Sequence, residues 1–78
     1  MNAATRIEIQ AGDTVRNKRN GEIWFVLGVN RDTKKVCVAG YPPTIASLLE
    51  CEMYKPGNGI DASERKYRDK TFGPLWDD

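Results

Sequence analysis

Residues 23–27, Ile-Trp-Phe-Val-Leu, are the longest apolar run in the chain. The run is aromatic and branched, a composition that fits a pleated strand, and Gly28 behind it disfavours a helix. Asn20-Gly21 stands just before it, and Asn-Gly predicts a tight type I′ hairpin turn with positive φ at both residues. Alternation puts Ile23, Phe25 and Leu27 on one face and Trp24 and Val26 on the other. Both faces are apolar, so the pattern predicts a central strand with a core on one side and further cover on the other.

Shorter alternating segments flank it. Residues 5–10 place Ile7 and Ile9 on one face and read as a short strand. Residues 14–16 form the first arm of the hairpin. Asn30-Arg31-Asp32-Thr33 is a second turn, leading into a strand over 34–39 with Val36 and Val38 on one face and Cys37 and Ala39 on the other. Gly40-Tyr41-Pro42-Pro43 is a stiff loop. Thr44 is placed to cap a single helical or 3₁₀ turn over 45–49, and residues 50–55 read as a closing strand with Cys51 and Met53 inward. Val15, Val36, Val38, Cys51 and Met53 supply cover for one face of the central strand. The other face, Ile23, Phe25 and Leu27, is left short.

After Pro56-Gly57-Asn58-Gly59 the pattern changes. Asp61 and Glu64 have capping-box spacing, opposite charges recur four apart, and a short helix over 62–70 follows. Its apolar face is thin, with Ala62 and Tyr67 only. Phe72-Gly73-Pro74-Leu75-Trp76 then gathers aromatic residues near the end of the sequence.

Four or five short strands joined by tight turns, with a helical turn before the last, resemble the plan of small SH3-like barrels. The order Gly12-Asp13-x-Val15 followed by Gly21-x-x-Trp24-x-Val26 resembles the opening of KOW- and Tudor-type modules, and is similar to small uncharacterised proteins encoded by phages and prophages. The resemblance implies an all-β fold: an SH3-like small barrel of 4–5 antiparallel strands over residues 5–56, with a short helical turn. Residues 57–78 form a charged and aromatic C-terminal tail, with room for a short helix, packing on the barrel or on a partner. It implies binding rather than catalysis. KOW modules bind RNA or ribosomal and transcription proteins, and a phage-encoded relative would modulate a host macromolecular complex. Tudor-type modules use an aromatic cage, toward which only Trp24, Tyr41 and Tyr54 are available.

Composition narrows the chemistry. At 78 residues the chain has room for one core and no deep substrate cavity. It has no histidine and two cysteines. General acid–base catalysis therefore lacks its usual residue, and Cys37 and Cys51, set within strand patterns, read as buried inert thiols. Glu50 and Glu52 share one strand face and read as a solvated pair. Catalytic residues: none; metal ligands: none, since two thiols do not complete a zinc site. No cofactor is expected, because no glycine-rich phosphate loop precedes a helix. The net charge is +1, far from the basic balance of a nucleic-acid binder. No stretch reaches membrane-spanning length, the first residues lack a secretory apolar region, and the cysteine usage suits a reduced, cytoplasmic setting.

Two surfaces remain as candidates. The first is a protein-docking surface built from Tyr41, Pro42 and Pro43 in the stiff loop and Phe72, Leu75 and Trp76 in the tail. These tail residues either fold back over Ile23, Phe25 and Leu27, leaving a monomer, or reach another chain, including a second copy in a homodimer. The second is a nucleic-acid surface from Arg16, Lys18 and Arg19 at one hairpin tip and Lys34 and Lys35, beside Arg31, at the other. Eight residues of strand at about 3.3 Å each would hold those tips on the order of 25 Å apart. The sequence thus leads to a non-enzymatic protein–protein module, with nucleic-acid binding as the alternative.

Overall fold

The computed structural model describes residues 8–40, 42–73 and 76, and in them the alternating segments become five strands. In chain order the elements are β1 (Thr14–Asn17), β2 (Ile23–Asn30), β3 (Lys35–Val38), β4 (Thr44–Ser47), a 3₁₀ turn (Leu48–Glu50), β5 (Cys51–Lys55) and the helix α1 (Ala62–Phe72). The strands make one antiparallel sheet in the order β4-β3-β2-β1-β5. The fold is mostly β with one short helix. The sheet is open, however: β4 and β5 are its two edges, and the closed barrel expected from the sequence is not formed among the described residues.

Each of the first two hairpins is set by the asparagine that ends its strand. Asn17 Oδ1 accepts the N–H groups of Arg19 and Asn20 at 2.9 and 3.1 Å. Asn30 Oδ1 accepts those of Asp32 and Thr33, both at 3.1 Å. Capturing the amides of the following loop in this way is a common asparagine turn. The first hairpin is consequently wider than the expected type I′ turn. Asn17 and Glu22 pair across a loop of residues 18–21, and only Gly21 has positive φ. In the second, the left-handed position falls on Lys34, with φ 58°.

The register of β2 against β3 shifts between Val26 and Gly28, so that Leu27 is an extra residue opposite none. This β-bulge changes the phase of alternation. Strict alternation would send Val29 to the Phe25 face; the bulge returns it to the side of Val26. Ile9, Val15, Val26, Val29, Val36, Val38 and Cys51 then form one buried cluster, with Trp24, Ala46, Leu48 and Met53 packed against it. The face expected to be covered by Val15, Val36, Val38, Cys51 and Met53 is the Trp24–Val26 face, and it is the core.

Two local expectations are corrected. The described part of the expected first strand, residues 8–10, is irregular, although Ile9 is buried; residues 5–7 lie outside the described residues. Thr44 begins strand β4 instead of capping a turn, because residues 44–47 pair with β3, and the 3₁₀ turn starts at Leu48.

The chain segments on either side of the sheet are clasped together. Asp13, fully buried, accepts the N–H of Gln10 at 2.9 Å and that of Gly57 at 2.7 Å. Gly12, Gly57 and Gly59 bring two backbones into direct contact. A Cβ on Gly57 would overlap the carbonyl oxygen of Gly12, and one on Gly12 would overlap Gly59. Beyond the clasp, α1 starts where the sequence predicts. Asp61 accepts from the Glu64 N–H at 2.7 Å and Glu64 accepts from the Asp61 N–H at 3.1 Å, a complete capping box. It ends at Gly73, whose φ is 86° and whose N–H donates to the Asp69 carbonyl. Among the described residues no helix is long and apolar enough to cross a membrane.

Candidate functional site

The bulge and the helix meet on the outer face of the sheet. An extra residue in one strand leaves its carbonyl without a ladder partner, and here the Leu27 carbonyl accepts from Arg68 Nη1 at 3.2 Å. Arg68 is only 3% exposed, and its Nε donates to Asp69 Oδ1 at 2.9 Å. Gly28 makes room for it: a Cβ there would lie 2.9 Å from Arg68 Cδ and 3.0 Å from Trp76 Cβ. The helix is therefore docked by a buried guanidinium, by Phe72 at its last position and by Trp76 after it, rather than by an apolar stripe.

Phe72 and Trp76 stack edge to face with ring centres 5.8 Å apart. With Ile45 of β4 they line a groove of about 370 Å³ whose other walls are Asn30, Thr33 and Lys35. Ile45 is 49% exposed. The indole N–H of Trp76 is buried and has no hydrogen-bond partner among the described residues. Beneath this region Cys37, paired with Gly28 and Ile45 across its two neighbours, is fully buried. Burial pushes its thiol up from 9.0 to about 11, against a smaller opposing pull from the Arg68 charge. Cys51 is also raised, by burial first and by Glu50 second, with Lys18 opposing; its Sγ donates to the Ser47 carbonyl at 3.3 Å. Both thiols are free and protonated at neutral pH, and neither suits a nucleophile.

Among the described residues, Arg68 and Trp76 lie against Gly28, next to Leu27 of the expected face. This part of the chain covers β2 at Leu27–Gly28, past its middle, whereas Ile23 remains 47% exposed. Leu75 lies outside the described residues. In the stiff loop Tyr41 is likewise outside them, Pro42 is exposed and Pro43 is buried. The loop touches the helix through Gly40, whose carbonyl accepts from the Tyr67 hydroxyl at 3.2 Å.

The basic residues are dispersed and largely matched by acids. Arg16 faces Glu52 and Arg19 faces Glu50, each at 3.4 Å. Lys18 Nζ reaches the Leu49 carbonyl at 3.4 Å. Arg31 bonds Glu8 at 3.2 Å and the Ile9 carbonyl at 3.1 Å. The two hairpin tips are less separated than a flat strand would make them. Lys18 and Arg31 border one opening of about 290 Å³ with Ile9, Leu48, Leu49 and Cys51. Lys35 is elsewhere, at the aromatic groove. Among the described residues no three Cys, Asp or Glu side chains gather as a metal site.

Two residues of this face, Ile45 in the groove and Arg68 beside it, escape a sequence reading. Arg68 looks like one member of a solvated charge pattern, and Ile45 like part of a helical turn. The available signal was Gly28, a glycine inside a strand, which marks a bulge or a close approach. Comparison of the chain with protein-family models, with curated proteins and with solved structures returns no match.

Proposed function

We propose that this chain is a non-enzymatic protein-interaction module whose docking surface is the groove between β4 and the end of α1. The observation that carries this reading is the groove itself: Ile45, Phe72 and Trp76 form an apolar floor open to solvent, with the Lys35 cation at its rim. Concave apolar sites with few polar groups are the usual form of a binding pocket. The strand order, the long β2 shared by two halves of the sheet and the 3₁₀ turn before β5 support reading the architecture as an opened SH3-like barrel of the KOW and Tudor kind. The pairing of Arg16 and Arg19 with glutamates favours protein over nucleic acid, since these cations are already partly neutralised.

Panning a random peptide library against the immobilised chain tests this reading. Peptides should be recovered whose binding is lost in Ile45→Asp with the melting temperature unchanged. Recovery only of peptides indifferent to that substitution, together with tight, steeply salt-dependent retention on RNA or DNA, would overturn it.

A further inference from the structure

The groove adjoins a backbone edge that pairs with no strand among the described residues, and the edge has a defined chemistry. The Leu48 N–H donates to the Lys34 carbonyl at 2.9 Å, which makes Lys34 and Leu48 a hydrogen-bonded antiparallel pair. Bonded and non-bonded pairs alternate along such a ladder. With Lys35 opposite Ser47, Val36 opposite Ala46, Cys37 opposite Ile45 and Val38 opposite Thr44, Ala46 and Thr44 turn their backbone groups toward β3. Ile45 and Ser47 turn theirs outward. The Ser47 carbonyl is occupied by Cys51 Sγ, so the outer edge presents the Ile45 N–H, the Ile45 carbonyl and the Ser47 N–H.

The two edges of the sheet are treated differently. β5 carries Glu52 and Lys55 within the strand, charges of the kind that keep an edge from pairing. β4, Thr-Ile-Ala-Ser, carries neither a charge nor a proline. It is the unguarded edge, and its outward side chain Ile45 is also a wall of the groove.

We infer that β4 accepts an extended segment of a partner protein as an added strand, with an apolar side chain entering the groove beside Ile45 and a carboxylate two residues along reaching toward Lys35. This deepens, and rests on, the docking reading above. Strand addition draws its hold from main-chain bonds and its selectivity from alternate side chains. The occupant is a peptide segment and not a second folded copy, because a four-residue strand and one groove fall well short of the roughly 800 Å² per partner of a stable dimer. The carboxylate follows from charge complementarity: Lys35 is the one charged residue among those lining the groove, and Ser47, its neighbour in register, places an added strand's side chain in the same row.

Ser47→Pro separates the edge from the groove. Ser47 has φ −77°, which proline adopts, and its N–H is an outward one, so the substitution removes an edge donor while sparing the internal ladder. Synthetic peptides from the panning experiment, titrated by calorimetry, should alternate apolar with polar residues and carry an acid. They should lose about tenfold or more in affinity to Ser47→Pro at unchanged melting temperature, and lose affinity again to Lys35→Glu. N-methylation of the peptide bond facing Ile45 should give the same loss against the native chain, which keeps the test valid if Ser47→Pro folds poorly. Peptides that need Ile45 yet are indifferent to both Ser47→Pro and N-methylation would sink strand addition while leaving the docking groove intact. Peptides indifferent to Ile45→Asp as well would sink both. Concentration-dependent self-association abolished by Ser47→Pro would replace the peptide with a second copy and so overturn the proposed occupant.

Discussion

Cys37 lies at the centre of the outer face, between the bulge at Leu27–Gly28 on one side and Ile45 on the other. Its burial has a consequence for alkaline stability. The folded chain holds the Cys37 proton until about pH 11, whereas the unfolded chain releases it near the ordinary value of 9.0. Below pH 9 both states keep the proton and this residue adds no pH dependence. Between pH 9 and 11 the unfolded state alone ionises, so stability falls as pH rises, by at most about 1.4 kcal/mol per unit. Urea midpoints at pH 8 and pH 10.5 should therefore separate more in the native chain than in Cys37→Ala. Cys51, raised in the same direction, adds to this slope, so Cys51→Ala should also narrow the separation.

At the level of elements, the Arg68 guanidinium is the buried polar insertion among the contacts that hold the helix. Removing it with Arg68→Met keeps most of the stem and leaves the Leu27 carbonyl without its donor, at a cost of about 1–3 kcal/mol. The expected result is local release of α1 before global unfolding. Cys37 should react faster with a thiol reagent while Cys51, on the core side, should not; equal acceleration of both thiols, followed by mass spectrometry, would instead indicate loss of the whole fold. The same region shows how far the sequence carries. The central strand, the inward face of Trp24 and Val26, the strands read over 34–39 and 50–55, each within a residue of β3 and β5, and the Asp61–Glu64 cap were all legible, because each is written in local periodicity or spacing. The bulge was not, since one extra residue leaves no mark on an apolar run except Gly28. Without the bulge there is no orphan carbonyl, and without that carbonyl nothing distinguishes Arg68 from the exposed Arg65 or Lys66. The groove, which joins residues from β2, β3, β4 and the tail, was legible only as the aromatic cluster Phe72 to Trp76.

On the scale of the whole molecule, the sheet depends on the junction of its two flanking segments. A domain of 78 residues has a stability on the order of 4–12 kcal/mol, so one badly placed atom at that junction matters. Gly57→Ala drives a methyl group into the Gly12 carbonyl, where both surfaces are backbone and neither can rotate away. Loss of more than about 3 kcal/mol is expected, read as a large drop in the chemical denaturation midpoint with the transition still cooperative. Asn58→Ala, one residue on and exposed, should be close to neutral.

The same junction gives the five-stranded part an unusual portability. The polypeptide enters it at Gly12 and leaves at Gly57 through one point, with the two backbones touching and Asp13 bonded across the gap. A segment whose ends already meet imposes little closure entropy on a surrounding chain. Residues 12–57 thus have ends placed for carriage within a surface loop of another chain, with Ile9 of the buried cluster left outside and its place to be filled by an apolar side chain of that chain. In such a setting α1 would be left behind, and the Leu27 carbonyl would become an address for whatever guanidinium the new host supplied.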